Sequence, residues 1–266
     1  WHQELKTLTE SLGMVLFSTP FAPKDVDFLE TIGVPFYKLA SFELEHWPLI
    51  DRIISTGKPL IASTGTASFI EIQQLVKYIK ERSSLSTPLV LLHCVSAYPA
   101  LLEDMNVVTM HNLEKTFNVP VGLSDHSTSN AASLAAVTLG AVVIEKHFTI
   151  SRDCGEDAAF SLLPDEFKTL VASIRETELA LGQVTYPQHG GYPIIKENKN
   201  KEFRRSLYAI CDIAKGTAFT PVNVGVIRPG YGLSPYRLSD LFVNKVAGVD
   251  IIKGTALSDA LIVDKE

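Results

Sequence analysis

Along the first two-thirds of the chain, short apolar runs alternate with longer stretches of helical period. Residues 14–18, 36–40, 59–63, 89–95, 120–124 and 142–147 read as strands. Helical patterns follow at about 24–32, 47–56, 68–82, 107–117, 130–139 and 164–181. Nearly continuous apolar strands separated by helices are the signature of a parallel sheet covered by helices, here in six strand–helix units. Each strand ends in polar residues: Ser18 and Thr19; Lys38, Ser41 and Glu43; Ser63 and Thr64; His93, Ser96 and Tyr98; Ser124, Asp125 and His126; Glu145, Lys146 and His147. In a TIM-type (β/α)8 barrel those ends converge on one mouth. A doubly wound sheet would gather its polar groups at a single switch point. Polar ends after all six strands therefore predict an α/β fold of the barrel type. Such a barrel has eight units. The C-terminal side passes into other structure, so the two uncounted units are expected at the N-terminal side.

The texture changes after residue 182. Gly190, Gly191, Pro187, Pro193 and a charged run over 196–201 read as a linker. The expected organisation is a barrel domain over 1–182, a linker over 183–202 and a small β-rich module over 203–266, which shows no helical periodicity. The module contains an internal echo: Asp212-Ile213-Ala214-Lys215-Gly216-Thr217 returns as Asp250-Ile251-Ile252-Lys253-Gly254-Thr255. Each copy reads as an apolar strand followed by a Lys-Gly turn, which implies a pseudo-symmetric unit.

Composition narrows the function classes. The 266 residues are 46% hydrophobic, enough for a sizeable core. No apolar run approaches the ~20 residues of a membrane span. The chain opens on the amphipathic stretch 1–12, without Met and without a signal-peptide pattern. A net charge of -6 argues against a nucleic-acid binder. Cys94, Cys154 and Cys211 show no paired spacing, which fits a reducing, cytoplasmic location.

The sharpest chemical signal is the pair His126 and His147, at the ends of consecutive strands. Side by side at a mouth, two imidazoles suit a divalent transition metal. Alternation places Glu145 on the same face as His147 and turns Lys146 away, toward a structural partner. Lys38 and Ser41, with Thr19, Ser63 and Thr64 on neighbouring strand ends, form a candidate dianion site, although each hydroxyl alone also fits a helix N-cap. Asp157 lies in the loop after the last strand, where a sugar or water contact and a solvated acid are both open. Cys94 reads as buried strand packing rather than a nucleophile. Arg204, Arg205 and Arg228 are candidates for an anionic or amide-bearing ligand, or for plain surface charge.

Several strings at these positions resemble those of the sialic acid synthase family. They are Ser18-Thr19-Pro20-Phe21, Tyr37-Lys38-Leu39-Ala40-Ser41-Phe42-Glu43, Leu92-His93-Cys94-Val95-Ser96-Ala97-Tyr98-Pro99, Gly122-Leu123-Ser124-Asp125-His126-Ser127 and Glu145-Lys146-His147-Phe148-Thr149. Three more resemble the pseudaminic acid synthase branch: Asp157-Ala158-Ala159-Phe160-Ser161, Phe203-Arg204-Arg205-Ser206-Leu207-Tyr208 and Ile227-Arg228-Pro229-Gly230-Tyr231-Gly232-Leu233. The resemblance implies a barrel lacking its first two units, followed by an antifreeze-like (SAF) module. It implies condensation of phosphoenolpyruvate with an N-acetylated sugar aldehyde to a nine-carbon sugar. N-acetylneuraminate or legionaminate synthesis, or an inactive homologue that only binds, are the alternatives. It further implies Thr19, Lys38, Ser41, Ser63, Ser96 and Ser124 around phosphoenolpyruvate, and Glu43, Tyr98 and Asp157 as catalytic groups. His126 and His147 would hold Mn2+ or Mg2+. Arg228 would reach the sugar across a homodimer that exchanges its C-terminal modules. Two departures stand out: Thr66 occupies a position where Met is usual, and Cys154-Gly155-Glu156-Asp157 replaces a more Gly-rich turn.

Overall fold

The computed structural model describes residues 1–83, 87–153, 155–184, 186, 197 and 199–265. The chain divides into two compact units, Trp1–Gly182 and Gln183–Glu266. Cys154 and most of the expected linker lie outside the described residues.

In the first unit, strands β1 (Tyr37–Leu39), β2 (Leu60–Ser63), β3 (Leu89–Cys94), β4 (Val121–Asp125) and β5 (Val143–Lys146) form one parallel sheet in the order β1-β2-β3-β4-β5. Helices α3 (Trp47–Ile54), α4 (Phe69–Arg82), α5 (Val108–Phe117), α6 (Ala131–Thr138) and α7 (Pro164–Leu181) follow the five strands in turn. Helices α1 (His2–Ser11) and α2 (Pro23–Ile32) precede them. A sheet whose neighbours are always consecutive has no reversal of strand order, so it carries no doubly wound switch point. Its registers, with Ala62 beside Leu91, Cys94 beside Ser124 and Ser124 beside Glu145, bring the polar C-terminal ends level with one another.

The elements follow from local chemistry. Ser68 caps α4 through its hydroxyl to the Glu71 N–H, and Glu71 returns a bond to the Ser68 N–H. Such a capping box is worth about 1 kcal/mol. The apolar faces of α2–α6 meet the sheet in a core containing Val26, Ile50, Leu75, Met110 and Ala136, against Leu60, Leu91 and Leu123.

Two expectations change in the structure. Residues 14–18 do not form a strand: Ser18 makes one parallel bridge to Tyr37, and Met14, Val15 and Phe17 are exposed. A ladder persists only where both its hydrogen bonds and its side chains find a neighbour, and here the apolar face of the segment packs on little. In the second unit, helix α8 (Leu238–Asn244) occurs where no helical period was read. It is only 7 residues long, too short for a period to register, and it is anchored by the buried Leu241.

The second unit pairs β6 (Ser206–Ala209) with β7 (Val224–Ile227) and β8 (Lys245–Ala247) with β9 (Ile262–Asp264), both antiparallel. The sequence echo becomes a reciprocal contact. Ile213 and Ile251 exchange both backbone bonds at 2.8 Å. Asp250 accepts from the Lys215 N–H and Asp212 from the Lys253 N–H, each at 2.7 Å. Gly216 and Gly254 take φ of +83° and +89°, a region that glycine enters without penalty. Leu207, Ile213, Phe219, Leu241, Ile251 and Leu257 form this unit's own core.

Candidate functional site

The C-terminal ends of β1–β5 surround a cavity of about 530 Å³. Its lining includes Thr19, Lys38, Ser41, Ser63, Cys94, Tyr98, Ser124, His126, Glu145 and His147. On one side lies Lys38, which is buried, with Nζ 3.6 Å from Glu145 Oε2 and donating to the Leu39 carbonyl at 3.1 Å. Burial pushes the Lys38 ammonium below the ordinary lysine range, and the Glu145 carboxylate partly restores it. Ser124 Oγ donates to Glu145 Oε1 at 2.8 Å, so Glu145 bridges Ser124 and Lys38. Ser63 Oγ is buried in the same cavity with no hydrogen-bond partner. A buried hydroxyl without a partner carries a desolvation cost that a bound oxygen would relieve.

The hydroxyls gather around a bare α-carbon. A Cβ on Gly65 would lie 2.1 Å from Ser96 Oγ, 2.9 Å from Cys94 Sγ and 2.9 Å from Ser41 Oγ. The Gly65 N–H donates to Ser41 Oγ at 3.0 Å. Thr64 is structural, since its hydroxyl donates to the Leu92 carbonyl at 3.0 Å.

On the other side, the rings of His126 and His147 have centroids 5.2 Å apart, and Tyr98 lies 4.3 Å from His126. His126 Nδ1 is 2.8 Å from the Val95 carbonyl, which fixes Nδ1–H and turns Nε2 to any ligand; against the effect of burial, Cys94 and that carbonyl raise this imidazole above the usual histidine range. Asp157 Oδ2 lies 3.5 Å from His147 Nδ1. Burial and the neighbouring His126 hold His147 below the usual histidine range, favouring the neutral imidazole that ligates metals. Among the described residues no group of three or more His, Cys, Asp or Glu stands in metal-binding geometry. The chain therefore offers two imidazoles with orienting second partners, a set that fits a divalent ion whose remaining positions go to water or substrate.

The expected site residues do not all converge. Glu43, Ser96 and Asp157 fall outside the cavity lining. Glu43 has a buried Oε2 without a partner and acts on the charge of Lys38. Arg228 is an exposed residue of the second unit, following β7. Cys94 is buried as its strand implies, yet it faces the cavity, with Sγ 3.9 Å from His126 Nδ1. It is His93 that turns away, toward the Met105 carbonyl at 2.6 Å. Glu145 had been placed on the mouth face by alternation, but its bridging role depends on register and has no local signal. Lys146 turns away as alternation requires and pairs with Asp125 at 2.8 Å.

The chain has similar sequences and structures among known proteins. Residues 1–186 match the NeuB family and residues 204–263 the SAF domain. The chain is 41% identical to a pseudaminic acid synthase of Campylobacter jejuni, over 98% of this chain and 74% of that protein. It is 36% identical to the N,N'-diacetyllegionaminic acid synthase of Legionella pneumophila, over 96% of this chain and 71% of that protein. Among solved structures it resembles a putative spore coat polysaccharide biosynthesis protein E from Chromobacterium violaceum, with a TM-score of 0.77 and 25% identity over 98% of this chain and 77% of the other.

Proposed function

This chain belongs to the NeuB family, and from that premise we propose that it condenses phosphoenolpyruvate with the open-chain aldehyde of an N-acetylated amino sugar. The product is a nine-carbon 2-keto sugar acid of the pseudaminic type. The observation that carries the reading is one cavity holding a buried lysine beside an unpartnered hydroxyl, facing a pair of imidazoles.

Lys38 neutralises the phosphate and carboxylate of phosphoenolpyruvate, while Thr19, Ser41, Ser63 and Ser124 donate hydroxyls to their oxygens. Ser96 orders this group from behind Gly65. Tyr98, its ring tilted against that of His126, positions the sugar. A divalent ion on His126 and His147, Mn2+ or Mg2+, would supply Lewis-acid polarisation of the aldehyde oxygen. Carbon 3 of phosphoenolpyruvate attacks the aldehyde carbon. Water adds at carbon 2, and phosphate leaves with cleavage of its C–O bond. Glu43 is the group assigned to proton transfer, and Asp157 orients His147.

The finer architecture belongs to the same reading. Consecutive parallel order, with a helix after each strand, supports a segment of a (β/α)8 barrel whose first two units are not in this sequence. The resemblance of residues 227–233 supports a homodimer in which Arg228 of one subunit reaches the sugar bound by the other.

The test is release of phosphate from phosphoenolpyruvate with each candidate sugar, with mass analysis of the product. Turnover is expected with a 2,4-diacetamido-2,4,6-trideoxy hexose of altrose configuration. Preference for N-acetylmannosamine, or for the legionaminate precursor, would reassign the sugar. Lys38→Ala should weaken phosphoenolpyruvate binding at least tenfold and leave sugar binding within about twofold, because only the former is a multiply charged anion. Equal losses for both ligands would make Lys38 structural.

A further inference from the structure

Behind the mouth, on the helix-facing side of the sheet, lies an ion pair that the chemistry above does not use. Lys146 Nζ and Asp125 Oδ2 are 2.8 Å apart, with the two side chains 2% and 0% exposed. The two residues are direct partners in the β4–β5 register. Asp125 also accepts from Ser133 Oγ on α6 at 2.6 Å and from the Ser127 N–H at 2.8 Å. Lys146 also donates to the carbonyls of Ser127 at 2.5 Å and Ser129 at 3.3 Å. The pair thus ties together two strands, the loop leaving β4 and the helix that follows it.

Its place in the sequence gives it meaning. Asp125 stands between Ser124 and His126, and Lys146 between Glu145 and His147. Alternation sends the flanking side chains to the mouth and these two to the opposite face. A buried ion pair is poor value for stability, because apolar residues of equal volume commonly do as well or better. What it does supply is a fixed relation between the backbones that carry it. We propose that Asp125 and Lys146 are positioning residues: their ion pair sets the separation of His126 and His147, and so the affinity of the site for a divalent cation.

The inference rests on the reading of the two imidazoles as ligands, and its test separates the two claims. The double variant Asp125→Leu with Lys146→Met removes both charges and leaves no orphan ion. Mn2+ titration followed by electron paramagnetic resonance is expected to show affinity 10- to 100-fold below the parent, the range found for outer partners of metal ligands. Lys146→Arg, which keeps the charge and the donors, should restore most of it. Crystals of the apolar double variant should show the two rings displaced from their 5.2 Å centroid separation. Should that variant fail to fold, the double variant Asp125→Asn with Lys146→Gln, which also removes both charges but keeps polar groups, takes its place, with the same expected and overturning results. A folded variant that keeps the ring separation overturns the proposal, whatever the metal does. Parent affinity for Mn2+ in a folded variant overturns it too. If His126→Ala binds Mn2+ like the parent, it is the ligand assignment that fails, and the ring separation alone then decides the positioning claim.

Discussion

Gly65 has no side chain, and the anion side of the cavity depends on that. Ser41, following β1, and Cys94 and Ser96, at the end of β3 and just beyond it, crowd the space a methyl group would fill. Gly65→Ala should cost about 1–3 kcal/mol as an overpacked position. The short tips of Ser41 and Ser96 would give way before the backbone did. A hydrogen bond from Ser41 to a charged ligand is worth about 1.5–3 kcal/mol, so the KM for phosphoenolpyruvate should rise about tenfold or more, with kcat changed less. Steady-state kinetics with the sugar saturating would check this, and an unchanged KM would show that Ser41 does not touch the anion. At this scale the sequence was legible for residue types at strand ends. Lys38, Ser63, Ser124 and both histidines do line one cavity. It was silent on Glu145 as a bridge and on the side of the sheet that Cys94 faces toward His126, since both depend on partners 21 and 32 positions away.

At the scale of elements, the two copies of the Asp-x-x-Lys-Gly echo hold each other. Each aspartate accepts a backbone N–H from the other copy at the same 2.7 Å. Asp212→Ala and Asp250→Ala should therefore destabilise the second unit by similar amounts, about 1 kcal/mol each. Hydrogen exchange should show the Lys253 amide losing protection in the first variant and the Lys215 amide in the second. Unequal losses, or protection retained in both, would show that the echo is not a working symmetry. The Lys-Gly turn of each copy was readable from composition because such turns are local, but the apolar run before it forms no strand, only the isolated bridge between Ile213 and Ile251. The reciprocal pairing was not, since an internal repeat says that two segments are alike but not that they touch. The failed strand at residues 14–18 teaches the same lesson from the other direction. Its apolar pattern is that of a strand, but a strand is completed by its neighbours, and here the one sheet-type pairing is the bridge from Ser18 to Tyr37.

For the whole molecule, the shared-site dimer makes the strongest demand. If Arg228 serves the partner's site, Arg228→Ala and His126→Ala subunits are each inactive alone and complement each other when mixed. One of the two sites in every mixed dimer would then hold both intact groups, so a statistical mixture should recover about a quarter of parental activity for a symmetric, isologous pair. The check is activity against mixing ratio after verified subunit exchange, with sizing of the parent alongside. No recovery, or a fully active monomer, would place Arg228 outside the chemistry of the partner.

The sequence by itself determined the order of strands and helices, the change of texture after residue 182 and the residue types available for chemistry. Those properties are local: hydrophobic period, caps and turn residues act over a few positions, and each can be read where it stands. Tertiary structure decided which of those residues meet. The register of β4 on β5 sets Ser124 beside Glu145 and Asp125 beside Lys146, which closes the bridge to Lys38 on one face and the buried ion pair on the other. A one-residue shift of β5 on β4 would turn His147 toward the helix layer and Lys146 toward the mouth, parting each from its partner on the other strand. The periodicity of either strand alone is the same in both registers; only packing against the helices and neighbouring strands distinguishes them.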